Sequence, residues 1–447
     1  MSTLAHAKPV NLSLGSKSLA FDSQWSRPAI SDIETMILRF AAFPEVGVAS
    51  VLNHEFIFID PSTSDLCPQH QDQLERLVTI ALRLGLPHAV IAHQDNNRFG
   101  GGGFINSVYE LAQMSEPDFQ VGFAKLRERL NWVLAGSRFN RRRHLVFPHT
   151  EGATLEAVLE LLPSIPAGGR PFVHMVLPWS ADTMPNQRRF GSLDKHGPAI
   201  AAINRQHPSL FLYSWSRGLA NTLAREIAAP VQVLDPAPEL SLRQDGETPP
   251  DRFTVAFMGA MAHETGFDQL PSIIRAANHA TSSPGRLRFV VQQRPSPQTT
   301  DTADLHLSLG ELLSIPERNV SVIEDILPRH LYYNVIRQAD GILLPYSAHA
   351  TERYSDTALH AMAAGKLVFA FDDVPLAHVN RARVMRARNT QSMGEIISDM
   401  ASDIEATRIA SRAAKDAFWT TSRPARLFAQ LLYGPMILAK AEGHEAI

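Results

Sequence analysis

Short apolar runs alternate with longer amphipathic stretches along most of this chain, and this alternation constrains the fold more than any other feature. Residues 56–59, FIFI, indicate a buried strand that ends at Asp60. The stretch from His70 to Gly85 places its apolar residues on one helical face, and residues 88–91 indicate the next strand. Strand, helix and strand in this order form a βαβ unit with parallel strands. The pattern therefore predicts an α/β fold.

The alternation occurs in two blocks. Residues 235–251, DPAPELSLRQDGETPPD, lack periodicity and are rich in proline and charge, which is typical of a linker. The strands predicted before the linker continue at 144–147, 171–177, 210–213 and 230–234, and those after it at 253–258, 287–292 and 341–344, with a helix at 269–279. We therefore predict an N-terminal extension with a helix over Ser31 to Phe43, two α/β domains and a C-terminal helix that packs back on the first domain. Their predicted ranges are 1–50 for the extension, 51–235 and 252–425 for the domains, 236–251 for the linker and 426–447 for the C-terminal helix.

Composition and charge exclude several classes of protein. The chain has 447 residues, 45% of them hydrophobic and 19% charged, which suits a globular protein of two or three domains. A formal net charge of -3 argues against a nucleic-acid partner, because such proteins normally carry a basic stripe. The single cysteine, Cys67, excludes an internal disulfide framework. With no apolar run near the roughly 20 residues of a membrane span and no secretory signal pattern, we expect a cytoplasmic protein.

The most informative segment is residues 339–371, ADGILLPYSAHATERYSDTALHAMAAGKLVFAF. It predicts a buried strand, a polar loop, a helix that begins near Ser355, and a second strand. Ser355, Asp356 and Thr357 can cap this helix, or they can leave backbone N–H groups exposed as a place for a phosphate. Both interpretations stay open on the sequence alone.

This segment resembles the donor-site signature of GT-B glycosyltransferases of the retaining, GT4-like kind. In that signature a Glu follows the strand, and a second Glu lies eight positions later, before A-M-A-x-G. Glu352 takes the first position, residues 361–366, AMAAGK, match the tail, and His360 takes the second. The resemblance implies the GT-B fold, in which two Rossmann-like domains place parallel sheets on either side of a central cleft. It implies that Glu352 contacts the transferred sugar and that His360 lies at the ribose, unless His360 is a buried helix histidine.

Residues 253–274 resemble the opening strand and glycine turn of the same family. Gly259 and Gly266 match the glycines, but Ala260 and Thr265 replace the Arg and Lys that are usual there. These cations would normally neutralise the departing diphosphate, so other groups must do so. Arg294, which follows a predicted strand, is the first candidate, ahead of Arg353 and Lys366; a solvated loop arginine is the alternative for Arg294. The residues predicted to bind the donor are Gly259, Thr265, Gly266, Arg294, Glu324, Asp325, Arg353, Ser355, Asp356, Thr357 and His360.

In the first half, residues 144–162, HLVFPHTEGATLEAVLELL, place His149 at the end of a strand and before a helix. The segment resembles the H-x-E/H-x-P segment of the family, whose histidine touches the donor sugar, so His149 is a predicted catalytic residue. A helix-capping histidine is the alternative. The basic run Arg138–His144 either turns toward anionic lipid, as a peripheral membrane contact on the inner face, or forms a solvated loop.

The resemblance implies a hexosyltransferase-like enzyme that moves a sugar from a nucleotide-diphosphate sugar to a glycan, lipid-linked or protein acceptor, with retention of configuration. We expect no cofactor besides the donor substrate. We also expect no metal, since Asp372 and Asp373 are adjacent and do not form D-x-D. A binding or scaffold protein of the same fold without turnover is one alternative, and a sugar-nucleotide epimerase or phosphorylase is another.

Overall fold

The structure is a computed structural model. It describes residues 54–62, 68–93, 111, 114–135, 142–179, 184, 187–206, 208–234, 238–244, 251–281, 284–295, 303–316, 319–324, 327–347, 355–372, 384–421, 427–428 and 430–432. The predicted helix over Ser31 to Phe43 lies outside these residues. Within the described part of the chain, no helix is long and apolar enough to cross a membrane.

Two six-stranded sheets organise the molecule, and every neighbouring pair of strands in them is parallel. The first has the order β2-β1-β3-β4-β5-β6, with β1 His54–Asp60, β2 His88–Ala92, β3 Arg142–Phe147, β4 Phe172–Val176, β5 Leu210–Ser214 and β6 Val231–Val233. The second has the order β11-β9-β7-β12-β13-β14, with β7 Phe253–Phe257, β9 Leu287–Gln292, β11 Val320–Ile323, β12 Gly341–Leu344, β13 Leu367–Phe371 and β14 Val384–Ala387. Two short strands, β8 Ala260–Met261 and β10 Arg294–Pro295, pair separately. The predicted α/β architecture of two parallel sheets is thus confirmed.

Helices connect the strands, as parallel pairing requires. In the first half they are α1 Pro68–Arg83, α2 Glu116–Ala135, α3 Gly152–Leu161, α4 Gln187–Phe190, α5 His196–Gln206 and α6 Arg217–Ile227. In the second half they are α7 Leu270–Ala280, α8 Ala303–Ser314, α9 Arg329–Gln338, α10 Asp356–Ala363, α11 Thr390–Ser402 and α12 Ile404–Thr421. Two predicted strands, at 287–292 and 341–344, match the structure at both ends, and the others agree within a few residues.

The predicted linker contains a packed turn. A 3₁₀ helix covers Leu240–Arg243, and Leu242 is fully buried in the core of the second half. Near the other end of the chain, the ring of Phe428 contacts Phe56 of β1 edge-on, with centroids 5.1 Å apart. The turn at Leu240–Arg243 thus packs on the second half, and Phe428, near the C-terminus, packs on the first.

A row of histidines crosses the buried interior of the first sheet. His54 Nδ1 lies 2.7 Å from His144 Nε2, His144 Nδ1 lies 2.9 Å from His174 Nε2, and His174 Nδ1 lies 3.2 Å from the hydroxyl of Tyr213. These four residues lie on the neighbouring strands β1, β3, β4 and β5, one on each strand. We call the three histidines the core histidine row. Burial lowers the pKa of His54 to about 4 and that of His174 to about 3. The row is therefore neutral at physiological pH, and its imidazoles satisfy one another's hydrogen bonds.

Candidate functional site

The first sheet has its topological switch point between β1 and β3, because the chain leaves β1 toward β2 on one side and reaches β3 on the other. Ligands of parallel sheets bind in the crevice beyond the strands' carboxyl ends at such a point. Asp60 is the last residue of β1, and His149 follows β3 by two positions. Both are buried. His149 therefore lies just beyond the end of a strand, as predicted, and the carboxylate of Asp60 lies beside it.

Asp60 contacts two imidazoles. His70 Nδ1, near the start of α1, lies 3.0 Å from Asp60 Oδ2, and His149 Nδ1 lies 3.5 Å from the same oxygen. The two rings stack, with centroids 3.8 Å apart and planes 22° apart. The other carboxylate oxygen of Asp60 accepts the backbone N–H of Ser62 at 2.9 Å. We call Asp60, His70 and His149 the cleft cluster.

Electrostatics make Asp60 an anion and His149 a neutral base. Burial alone would raise the pKa of Asp60, but His70 and His149 hold it below its usual value. Burial, together with the charge of His70, lowers the pKa of His149 to about 4 against the opposing charges of Asp60 and Asp356. Nδ1 of His149 is buried and makes no hydrogen bond within the described part of the chain, but it lies 3.5 Å from the anion of Asp60, so we assign its proton there. The Nε2 of His149 is then an acceptor for a hydroxyl hydrogen.

The cleft cluster also has the composition of a metal site. One ligand atom from each of the three side chains lies within 4.8 Å of the other two, a property that no other group of His, Cys, Asp and Glu shares among the described residues. Two imidazoles and one carboxylate suit zinc and related divalent ions. The expected metal independence therefore stays a prediction, which a chelator can test.

The switch point of the second sheet lies between β7 and β12. Gly266, in the turn after β7, has φ +71°, and a Cβ at this position would lie 1.8 Å from the carbonyl oxygen of Pro345. Only glycine fits there, and the turn therefore packs against the chain as it leaves β12. The hydroxyl of Thr265 donates within the turn, to the carbonyls of Ala260 at 2.6 Å and Ala262 at 2.8 Å. Thr265 thus stabilises the turn. At Gly259 a Cβ would lie 2.6 Å from the ring of Phe257, so a larger residue there would require this ring to move.

Helix α10 follows β12 and begins at the predicted place. Ser355 caps it, since its side-chain oxygen accepts the N–H of Ala358 at 3.2 Å. Thr357 lies 3.3 Å from the hydroxyl of Tyr332. Capping is therefore the observed role of Ser355, and the first helical residue, Asp356, has a partner from the first half of the chain.

That partner is Arg76 of α1. Its Nη2 lies 2.7 Å from Asp356 Oδ1, and the Arg76 side chain is only 4% exposed. Burial by itself would raise the pKa of Asp356, but the guanidinium of Arg76 holds it below its usual value. The two switch points are thus joined by an ion pair, and His149 is close enough for the charge of Asp356 to affect its pKa.

His360 lies on α10 beneath two tyrosines. Its Nδ1 is 3.3 Å from the Tyr332 hydroxyl, and the Tyr333 ring meets it edge-on at 5.2 Å. Burial and, to a smaller extent, the charge of Arg76 lower the pKa of His360 to about 3. Among the residues that the structure describes, His360 Nε2 makes no hydrogen bond although it is buried. The imidazole is therefore a buried helix histidine with one nitrogen left to bind.

For the remaining predicted site residues we describe no contact with the cleft cluster or with α10. Glu324 is exposed at the end of β11, and the backbone of Arg294 pairs with Ala260 in the two short strands. Glu352, Arg353 and Asp325 lie outside the described residues.

Three residues of the site were not predicted, namely Asp60, His70 and Arg76. Asp60 has a signal in the sequence, because it is the last residue of a buried strand of a parallel sheet. His70 and Arg76 have none, since each depends on which side of α1 meets the rest of the protein.

Comparisons with known proteins agree with this architecture. No protein-family model and no curated protein matches the sequence. Solved structures do match, among them the trehalose-6-phosphate synthase of E. coli bound with UDP-2-fluoro glucose, at 10% identity and TM-score 0.59 over 85% of this chain and 98% of that one. A UDP-forming α,α-trehalose-phosphate synthase from Burkholderia xenovorans matches at 11% identity and TM-score 0.56, over 85% of this chain and 98% of that one.

Sucrose-phosphate synthase from Thermosynechococcus elongatus matches at 13% identity and TM-score 0.57, over 86% of this chain and 100% of that one. These proteins are GT-B glycosyltransferases. The resemblance expected from residues 339–371 is confirmed at the level of the fold, and this chain has the GT-B fold.

Proposed function

We propose that this protein is a glycosyltransferase that moves a sugar from a nucleotide-diphosphate sugar, with a UDP-sugar as the first candidate donor. The observation that carries the proposal is the meeting of the two switch points, where Arg76 pairs with Asp356 and the cleft cluster lies beside them. Similarity to proteins that form UDP or were solved with a UDP-sugar supports the choice of donor.

The residues of the site have distinct roles in this proposal. Asp60 holds His149 so that Nε2 accepts a hydroxyl hydrogen of the bound sugar, and Glu352 contacts the sugar as positive charge grows at its anomeric carbon. The backbone N–H groups at the start of α10 favour the diphosphate. Retention of configuration and the GT4-type assignment belong to the proposal through the signature of residues 339–371. The acceptor is a glycan, a lipid-linked sugar or a protein, and the named neighbours add small sugars and sugar phosphates as acceptors to test.

A two-stage experiment tests the function. First, thermal unfolding is measured with UDP, GDP, ADP and their glucose conjugates, and we expect one diphosphate to raise the melting temperature at concentrations well above its Kd. Second, release of that diphosphate is followed with a panel of acceptors for wild type and Glu352→Gln. Release by wild type and its loss in the variant, with diphosphate binding retained, support transfer. If no diphosphate stabilises the protein, or if the variant releases it as fast as wild type, the proposed site is wrong.

The same assay tests metal independence and the choice of reaction. Release unchanged by EDTA supports a metal-free reaction, whereas loss on chelation and recovery with Zn²⁺ would assign a metal to the cleft cluster. An epimerase would change the sugar without releasing nucleotide, and a phosphorylase would require inorganic phosphate.

A binding protein without turnover is the second candidate function. The observation that favours it is the turn after β7, where Ala260 carries no charge and the Thr265 hydroxyl is engaged by two backbone carbonyls. This candidate would be favoured over transfer if the protein binds a nucleoside diphosphate tightly but releases none from any of the sugar conjugates, not even by slow hydrolysis.

A further inference from the structure

Two consecutive residues of α1 connect the halves of the protein through charges. Arg76 pairs with Asp356 at 2.7 Å, and Glu75 pairs with Arg329 of α9. Arg329 in turn pairs with Glu239, in the segment between the two halves. The guanidinium of Arg329 is therefore shared by two carboxylates, those of Glu75 and Glu239. Arg76 is the more buried cation of the two, and it meets the second half where the donor would bind.

Asp356 occupies an unusual place for a site that binds an anion. It is the first residue of α10, where the helix dipole stabilises negative charge and where backbone N–H groups lack helical partners. An unpaired carboxylate at this position would compete with a phosphate group and repel it. Arg76 neutralises that charge while the donor site is empty.

His360 is a second, independent sign that a ligand belongs here. It lies one helical turn after Asp356, and the charges of Arg76 and Asp356 are the largest electrostatic influences on its pKa after burial. Its Nε2 is buried and makes no hydrogen bond within the described part of the chain. An unsatisfied buried nitrogen costs stability, and a bound hydroxyl group would satisfy it.

We propose that Arg76, which the first half contributes, binds the diphosphate of the donor and exchanges Asp356 for a phosphate oxygen when the donor binds. This inference rests on the proposed function and names the cation that replaces the absent Arg and Lys at positions 260 and 265. A guanidinium suits the exchange, because it binds carboxylate and phosphate with the same planar pair of N–H donors. Asp356 then acts as a competitor that occupies Arg76 while the donor site is empty.

The proposal assigns opposite effects to the two partners of one ion pair. Arg76→Ala removes the cation, and we expect it to weaken UDP binding by about 10- to 100-fold, the range of one charge-assisted hydrogen-bonded contact. Asp356→Asn removes the competitor and keeps a polar residue near the helix start, so UDP should bind about 3- to 10-fold more tightly, by up to 1.4 kcal/mol. A purely structural ion pair predicts instead that both variants weaken binding.

Isothermal titration with UDP, UMP and uridine measures these effects. Binding of uridine should be equal in wild type, Arg76→Ala and Asp356→Asn, because the nucleoside carries no phosphate. Arg76→Lys should recover part of the UDP affinity, since it restores the charge without the planar fork. Arg127→Ala is the matched control, because Arg127 is an exposed arginine of the same half that pairs with Glu160 at 2.9 Å. This control should bind UDP as wild type does.

The outcomes separate this inference from the proposed function. If wild type binds none of UDP, GDP and ADP, the proposed function fails and Arg76 has no diphosphate to bind. If wild type binds one of them and Arg76→Ala binds it equally well, the function stands and the role of Arg76 is wrong. Weaker binding in Asp356→Asn overturns the exchange even where Arg76→Ala fails to fold. GDP or ADP replaces UDP in every titration if the first panel selects it.

Discussion

The first half of the chain contains two groups of buried histidines, and they differ in their neighbours and in their place on the sheet. The core histidine row crosses the middle of the sheet and ends on the phenol of Tyr213, and the residues that the structure describes provide no carboxylate among its hydrogen-bonding partners. The cleft cluster lies at the carboxyl ends of β1 and β3, where Asp60 contacts both imidazoles. A histidine that other neutral groups satisfy stabilises the core, whereas one that a carboxylate orients at a strand end has a nitrogen available for chemistry.

The largest expected effect comes from His149→Ala. Loss of the oriented imidazole should lower the rate of sugar transfer by about 100-fold or more, the usual contribution of a positioned acid or base. Diphosphate affinity should change little, because the proposed phosphate contacts lie on Arg76 and α10. Initial rates of diphosphate release and titration with UDP measure the two quantities.

His174→Leu is the matched control for His149→Ala, since it removes a buried histidine from the same half. We expect it to leave the rate of the folded enzyme within about threefold of wild type, because no group of the core histidine row reaches the reacting atoms. If His174→Leu lowers the rate as much as His149→Ala does, the distinction between the two groups is wrong.

His174→Leu should instead produce the largest change in stability. It leaves His144 Nδ1 and the Tyr213 hydroxyl without their partner, and each unsatisfied buried group costs about 1–3 kcal/mol of unfolding free energy. Urea unfolding at pH 8 measures this loss. No loss at pH 8 would mean that the row does not stabilise the core.

The pH dependence of stability sharpens the same prediction. The folded-state pKa of His174, about 3, lies below the ordinary 6.5, so its contribution is present above pH 6.5 and is lost as pH falls toward 3. Each proton that unfolding takes up changes the unfolding free energy by about 1.4 kcal/mol per pH unit. The stability of wild type should therefore fall more steeply than that of His174→Leu between pH 6.5 and pH 4.5. Parallel curves would contradict the neutral state of the row.

The fold could be predicted from the sequence because parallel strands are buried on both faces. Strands such as β12 and β13 are therefore continuous apolar runs, and their short length between turn residues favours a strand over a helix. Helix α2 was not predicted, although it has 20 residues. Val121 and Trp132 on this helix are exposed, and exposed apolar residues blur the periodicity on which a helix prediction depends.

The site could be predicted only where a single segment defines it. The strand-end rule finds His149 and would have found Asp60, since each lies at or just beyond the end of one buried strand. The ion pair of Arg76 with Asp356 joins residues 280 positions apart, and no local pattern records such a contact. The position of His360 under Tyr332 and Tyr333 is likewise a result of how α9 packs on α10.

The smallest expected effect concerns Glu151, which lies two residues after His149 and is buried at the start of α3. Its carboxylate caps α3 by accepting the N–H of Thr154 at 3.2 Å. Burial raises the pKa of Glu151 to about 7, and the charge of Asp60 contributes to the rise. The stability that the protonated acid contributes is present below pH 4.5 and is lost as pH rises through about 7.

Glu151→Gln keeps a capping oxygen and stays neutral at every pH, so it should nearly match wild type at pH 4 and exceed it at pH 8, by at most the roughly 3 kcal/mol that a pKa shift from 4.5 to about 7 represents. Urea unfolding at the two pH values measures this difference. Because the charge of Asp60 is part of the cause, the gain at pH 8 should shrink in an Asp60→Asn background, where the cleft cluster has lost its anion. A gain that is the same at pH 4 and pH 8 would mean that folding leaves the pKa of Glu151 unchanged. A gain unaffected by Asp60→Asn would remove Glu151 from the electrostatic reach of the cleft cluster.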